Sequence, residues 1–336
     1  MGGILAGERR ISQREPPALP QVRFYCRLEE QPNHLVPTHL LPGPMAFSAP
    51  NHGLVLHPRC QLSRPGQLPI ELAGSAPLVE NFDLGGPAAW VLSPGPNAWQ
   101  AFCLSAELEI ALVEISEGRS ALLLPPRLRQ LLAMAEILAS EDCIRSESQS
   151  WEATIRSCAT RMRREGYAPI RGLLHAFQIA ALRRYYRCLI RTGRLRFGDG
   201  QNPLRYYAHN ETVARFFHHQ LTTTVSAIAG QAVKPSYAYF ASYRAGAVLE
   251  KHRDRAQCEF SVSFCLDYSP EPVRETPWPL HLHTSTGKVS VFQAIGEGLV
   301  YRGCDLPHSR DQLPAGHSST SIFFHYVPVD FAGDLN

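Results

Sequence analysis

VLEKHRDRAQCEFSVSF, residues 248–264, decides how the second half of this chain is read. His252-Arg253-Asp254 spells H-R-D, which marks the catalytic loop of protein kinases, and it also spells His-x-Asp, the start of a mononuclear metal site. A kinase loop needs an Asn at a fixed spacing after the Asp, and Glu259 occupies that position. The glycine-rich loop, the strand lysine and D-F-G are missing as well. The surrounding residues alternate: Glu259, Ser261 and Ser263 against Phe260, Val262 and Phe264. That period of two is a strand with one polar and one apolar face, where a kinase has a loop.

On a strand, residues i and i+2 share a face, so His252 and Asp254 are expected to project an imidazole and a carboxylate into one interior. A third ligand completes the two-His-one-carboxylate arrangement of non-haem Fe(II) sites, which keeps positions open. His308, in GLVYRGCDLPHSRDQL, is the candidate, far enough along for the chain to make several strands and return. Strand-like runs fill the region from residue 233 onward: SYAYFASY, CEFSVSFCL, WPLHLHT, VSVFQ, GLVYRG and STSIFFHYV.

Upstream the texture differs. Residues 1–125 are broken by proline and glycine, with short apolar runs such as AWVLS and LEIALVEI, and read as short strands between turns. RLRQLLAMAEILASE, residues 127–141, reads as a helix, and a second helix is expected from about Ser150. RGLLHAFQIAALRRYYRCLIRTG puts Leu173, Leu174, Phe177, Ala181, Leu182, Tyr186, Leu189 and Ile190 on one helical face, with Gly193 as its stop. The expected fold is mainly β with helical support. A strand-rich N-terminal domain or extension, residues 1–145, precedes a domain of residues 146–336, whose β core spans 233–330.

Composition narrows function. A net charge of +3 over 336 residues argues against a dedicated nucleic-acid binder. The arginines from Arg183 to Arg196 read as the polar side of an amphipathic helix. No run approaches the roughly 18 apolar residues that span a bilayer. The opening MGGILAGERR is charged too early for a signal peptide, and Ala6 stands where a myristoylation signal wants Ser or Thr. Nine cysteines without a C-x-x-C pair read as reduced thiols, so the expectation is a cytoplasmic protein with no membrane or nucleic-acid partner. His281 and His283 share a face and mimic a cupin metal pair, but read as ordinary strand histidines. His218-His219, on an expected helix, point different ways.

YFASYRAGAVLEKHRDR (239–255) and GEGLVYRGCDLPHSRDQLPAG (296–316), with GYAPIRGLL (166–174) ahead of a helix, resemble the 2-oxoglutarate/Fe(II)-dependent dioxygenases of the prolyl-hydroxylase-like type. The resemblance covers a little over half the chain and leaves residues 1–125 outside. It implies a double-stranded β-helix, or jelly-roll, of eight strands in two facing sheets. It implies Fe(II) held by His252, Asp254 and His308, 2-oxoglutarate as cosubstrate, and O2 consumed with release of succinate and CO2. Hydroxylation is the commonest outcome in that family, beside desaturation and cyclisation.

One departure stands out. The family's last strand carries an Arg or Lys for the distal carboxylate of 2-oxoglutarate, and here Ser318 holds that place, flanked by His317 and Ser319. Strand parity with His308 points instead to Arg310, with Tyr243 matching the family's Tyr, and Ser319 and Ser321 as same-face hydroxyls. Arg302, Arg244 and His317 are the remaining cations. The substrate expected is an amino acid, a peptidyl group or a small natural product, and residues 1–145 serve recognition or a homodimer. The alternatives are a jelly-roll metal enzyme that does not use 2-oxoglutarate, and a jelly-roll binding module without catalysis.

Overall fold

The computed structural model describes residues 21–28, 35–40 and 53–335. The opening MGGILAGERR and the proline-rich stretch 41–52 lie outside them. In chain order the elements are β1 (Val55–Leu56), β2 (Cys60–Ser63), β3 (Ala88–Leu92), β4 (Trp99–Cys103), α1 (Ala106–Ser116), α2 (Pro126–Met134), β5 (Leu138–Ala139) and α3 (Glu141–Glu165). There follow β6 (Tyr167–Ile170), α4 (Ala176–Arg191), β7 (Arg196–Phe197), β8 (Arg205–His209), α5 (Thr212–Gln220) and α6 (Thr222–Ala229). The last are β9 (Val233–Arg244), β10 (Leu249–His252), β11 (Phe260–Ser269), β12 (Leu280–Thr284), β13 (Gly287–Val291), β14 (Gly298–Arg302), β15 (His308–Arg310) and β16 (Ser318–Pro328).

The eight strands β9 to β16 divide four and four. β14, β11, β16 and β9 are central in a larger sheet that β6, β8 and β7 extend, and β10, β15, β12 and β13 make the smaller sheet. This is a jelly-roll, with the strand pairs of both sheets antiparallel among the described residues.

Alternation along the larger sheet separates two cores. Phe260, Val262 and Phe264 of β11 and Ile322, Phe324 and Tyr326 of β16 point away from the smaller sheet and belong to the large hydrophobic cluster shared with the helices. Tyr186 of α4 stacks on Phe240 of β9 with centroids 4.1 Å apart, and His218 of α5 packs on Phe324 and Tyr326. The inward faces make a smaller cluster of Tyr167, Leu249, Leu280, Leu282, Val291, Leu299 and Tyr301.

The three-stranded sheet β2-β3-β4 packs on the helices, with Trp90 of β3 meeting Phe216 of α5 at 6.4 Å. Phe82 meets Phe216, and Phe24 meets Phe217 and Tyr185. Gln178 donates to the Ala101 carbonyl at 2.8 Å, and the buried Arg183 donates to the Leu35 carbonyl at 2.6 Å. Arg183 also pairs with Asp267 and Glu271, and Arg187 pairs with Asp267, so this arginine face is tied to the β core.

Three local expectations change. LEIALVEI is α1 and not a strand: Leu108, Leu112 and Ile115 are buried at helical spacing, and the Ser105 hydroxyl caps it by accepting from the Leu108 N–H. The helix expected over 127–141 stops at Met134, because the chain turns at Glu136 (φ 59°) into β5, which pairs with β1. α3 starts at Glu141, capped by Ser140, rather than near Ser150, and runs through positions 145 and 146. Among the described residues no helix is long and apolar enough to cross a membrane.

Candidate active site

β10 and β15 run antiparallel with His252 directly opposite His308, which places the two rings 4.3 Å apart. Asp254 follows the end of β10 rather than lying within it. Its backbone N–H donates to the Gly303 carbonyl at 3.0 Å, which turns the carboxylate back toward the histidines. Gly303 is required there, because a Cβ would meet Asp254 Oδ2 at 2.2 Å and the Cys258 carbonyl oxygen at 2.6 Å. Asp254 Oδ1 lies 3.5 Å from His308 Nε2 and 3.8 Å from His252 Nε2. One ligand atom from each residue falls within 4.8 Å of the others.

Every donor is oriented by a second contact. His252 Nδ1 is 2.8 Å from the Glu250 carbonyl and His308 Nδ1 is 3.0 Å from the Leu306 carbonyl. Each Nδ1–H therefore donates to a carbonyl, which turns both Nε2 atoms toward the Asp254 carboxylate; the Gln201 amide nitrogen stands 3.4 Å from His252 Nε2, where a cation would displace it. Ser261 Oγ donates to Asp254 Oδ2 at 2.9 Å, so Oδ1 is the free oxygen. Burial pushes the His308 pKa below the usual imidazole value, which favours the neutral ring a metal requires. These residues fit a divalent metal with a facial triad. A second set, Asp254, Cys258 and His325, shares Asp254. It is the poorer donor set, because burial first and the Asp254 charge second push the Cys258 thiol up to about 12.

The triad opens on a cavity of about 610 Å³ between the two sheets, lined, among the described residues, by ones from Asp199 to His325. Tyr243, Leu249, Leu280 and Tyr301 belong to its wall, as do His209, Tyr237, Tyr239, Phe323 and His325. Ser319 and Ser321 are buried on the same face of β16 as Phe323 and His325. Ser261 and Ser263 are buried, and Ser263 Oγ has no hydrogen-bond partner.

Arg310 is 5% exposed and forms no ion pair among the described residues. Its Nη1 donates to the Trp278 carbonyl, and the guanidinium lies 4.7 Å from the Trp278 ring centroid. It is absent from the cavity wall, although its cross-strand partner Leu249 is present. A second guanidinium went unnoticed in the sequence. Arg205 is on the wall, pairs with Asp199 at 2.6 Å, and donates to the Tyr243 hydroxyl at 3.1 Å. His317 is outside the wall, its Nδ1 2.9 Å from the Tyr268 hydroxyl. Arg302 pairs with Asp305, and Arg244 lies over Tyr206. His281 contacts Ser290 and Asp311, and His283 contacts Ser309, apart from the triad. Asp199, Arg205, Tyr237, Tyr239, Phe323 and His325 carry no motif. Strand parity from Tyr243 and Ser321 would have placed Tyr237, Tyr239, Phe323 and His325.

No protein-family model matches the chain, and no curated protein matches it. Solved structures of 2-oxoglutarate/Fe(II) enzymes are similar to it over about half its length. The epimerase SnoN, in complex with Fe3+, alpha ketoglutarate and nogalamycin RO, is 15% identical over 53% of this chain and 84% of its own, with a TM-score of 0.45. A Pseudomonas putida prolyl-4-hydroxylase is 17% identical over 52% of this chain and 98% of its own, with a TM-score of 0.43. AviO1 from Streptomyces viridochromogenes Tue57 is 21% identical over 53% and 97%, with a TM-score of 0.45.

Proposed function

We propose that this chain is a non-haem Fe(II)- and 2-oxoglutarate-dependent oxygenase that hydroxylates an unactivated C–H bond of an amino-acid, peptidyl or small natural-product substrate. The observation that carries the reading is the donor set: two imidazole Nε2 atoms and one carboxylate oxygen within 4.8 Å, each aimed by its own second hydrogen bond, on the wall of a cavity. Bound Fe(II) supplies the coupling of O2 and 2-oxoglutarate to C–H oxidation, with succinate and CO2 as co-products.

The chain's own residues do the rest. His252, Asp254 and His308 hold the metal, and Ser261 keeps the Asp254 carboxylate from turning. Arg310 supplies the cation for the distal carboxylate of 2-oxoglutarate. Its buried charge has no carboxylate beside it, and a buried guanidinium without a counter-ion is costly until an anion arrives. Arg205 is the less suitable cation because Asp199 already neutralises it. The Tyr243 hydroxyl accepts from Arg205, which leaves its own proton to donate to the same carboxylate. Ser319 and Ser321 add hydroxyls on that face. Leu249, Leu280 and Tyr301 line the cavity beside the triad and limit water there.

The experiment is aerobic incubation of the purified protein with Fe(II) and 2-oxoglutarate, with succinate as the readout. Succinate above the protein-free control, lost on chelating the metal, is the expected result. None formed at any Fe(II) concentration would overturn the reading.

A further inference from the structure

Beside the three metal-binding candidates, one wall of the cavity is built from rings and arginines that the metal does not need. Its rings form a continuous wall: His209 to Tyr237 at 4.9 Å, Tyr237 to His325 at 4.6 Å, and Phe323 stacked near-parallel with His325 at 6.4 Å. Arg255 stands over this wall, its guanidinium carbon 5.4 Å from the Tyr237 centroid and its Nη2 donating to the Tyr237 hydroxyl at 3.0 Å.

The charges along the wall do not balance. Arg205 is matched by Asp199, and Asp254 is committed to the triad. Arg253 and Arg255, both on the wall, form no ion pair among the described residues. This wall therefore offers positive charge next to flat rings. At about 610 Å³ the cavity is in the range of small-molecule sites, roughly 300–1,000 Å³.

We propose that the substrate is a small carboxylic acid bearing a flat ring, with the ring on the Tyr237 and Phe323 wall and the carboxylate on Arg255. A guanidinium held against an aromatic face keeps its remaining N–H groups fixed for a two-bond grip on a carboxylate. The inference rests on the oxygenase reading of this cavity, and it names the group that this wall selects.

The test uses the full-length protein and two probes of equal shape, indole-3-acetate and indole-3-acetamide. Binding is measured by calorimetry without oxygen, both in the metal-free protein and in protein loaded with Fe(II) and 2-oxoglutarate. The acid is expected to bind at least about tenfold more tightly than the amide, as a charge-assisted grip requires. Arg255→Gln is expected to erase that preference and Arg255→Lys to restore part of it. Equal binding of acid and amide, a preference that survives Arg255→Gln, or no binding of either probe at millimolar concentration would overturn the inference. An acid preference in protein that shows no Fe(II)–2-oxoglutarate absorption band would instead count against the oxygenase reading alone.

Discussion

The strands β9, β11 and β16 each have two faces, and the two do different work. Outward, Phe240, Phe260, Val262, Phe264, Phe324 and Tyr326 are fully buried against helices. Inward, Tyr237, Tyr239, Tyr243, Phe323 and His325 line the cavity, and Ser261 donates to the Asp254 carboxylate. One residue of register separates the apolar support from the chemistry. The backbone is the same on both faces, so the sequence can change function on one without disturbing the fold on the other.

Breaking the inner face hardest means removing a ligand. Asp254→Ala should abolish succinate formation and weaken Fe(II) binding by more than about a hundredfold, beyond the effect of losing an outer partner. The thermal midpoint of the metal-free protein should hardly change, since Asp254 is not part of the hydrophobic clusters. Fe(II) bound at wild-type affinity with succinate still formed would dissolve the triad.

The outer face fails differently. Phe324→Ala leaves every cavity residue in place but should cost about 3–5 kcal/mol of stability, as for other fully buried phenylalanines. Urea denaturation would measure it. Removing residues 1–145 goes further along the same face, uncovering Tyr185, Phe216 and Phe217 where Phe24 and Phe82 pack. Insoluble protein is expected. A soluble truncated protein that makes succinate would show that the two regions are independent.

Arg310→Leu sharpens the comparison from within the inner face. Losing a buried charge-assisted contact costs roughly 2–5 kcal/mol. At about 1.4 kcal/mol per decade, affinity for 2-oxoglutarate should fall about thirtyfold or more while Fe(II) affinity holds. A variant with normal 2-oxoglutarate affinity and lost substrate turnover would move Arg310 to the substrate side.

The smallest effect is a pH dependence from the helix layer. His175 is buried with its Nε2 on the Met134 carbonyl, and burial lowers its pKa from 6.5 to about 4. Between those values the unfolded chain takes up a proton that the folded chain refuses. Its contribution is therefore complete above pH 6.5 and is lost as the pH falls toward 4, at most about 1.4 kcal/mol per unit. His325, lowered to about 4 by burial, acts with the same sign. The urea midpoint should drop between pH 7 and pH 5, and an unchanged midpoint would contradict it.

Much of this was legible in the sequence, for a physical reason. From 233 onward, alternation survives because each strand buries one face in the helix-backed core and the other in the interior, so the strands could be read, while their jelly-roll arrangement came from the family resemblance. The expected grouping of His252, Asp254 and His308 rested on one tight segment and one distant His, which the β10–β15 pair brings together. The N-terminal region was harder. LEIALVEI looks apolar enough for a strand, and only the spacing of Leu108, Leu112 and Ile115 with the Ser105 cap marks a helix. Arg205 and Asp199 were invisible because they meet across the β7–β8 hairpin turn, and only the pairing of Arg205 with Tyr243 of β9 brings them to the cavity.

The central claim is that the inner face binds Fe(II) and 2-oxoglutarate together. Anaerobic addition of Fe(II), then of 2-oxoglutarate, followed by visible absorption spectroscopy, tests it directly. A metal-to-ligand charge-transfer band should appear only when both are present, and should be absent in Asp254→Ala. A wild-type protein that binds Fe(II) but gives no band with 2-oxoglutarate would contradict the account.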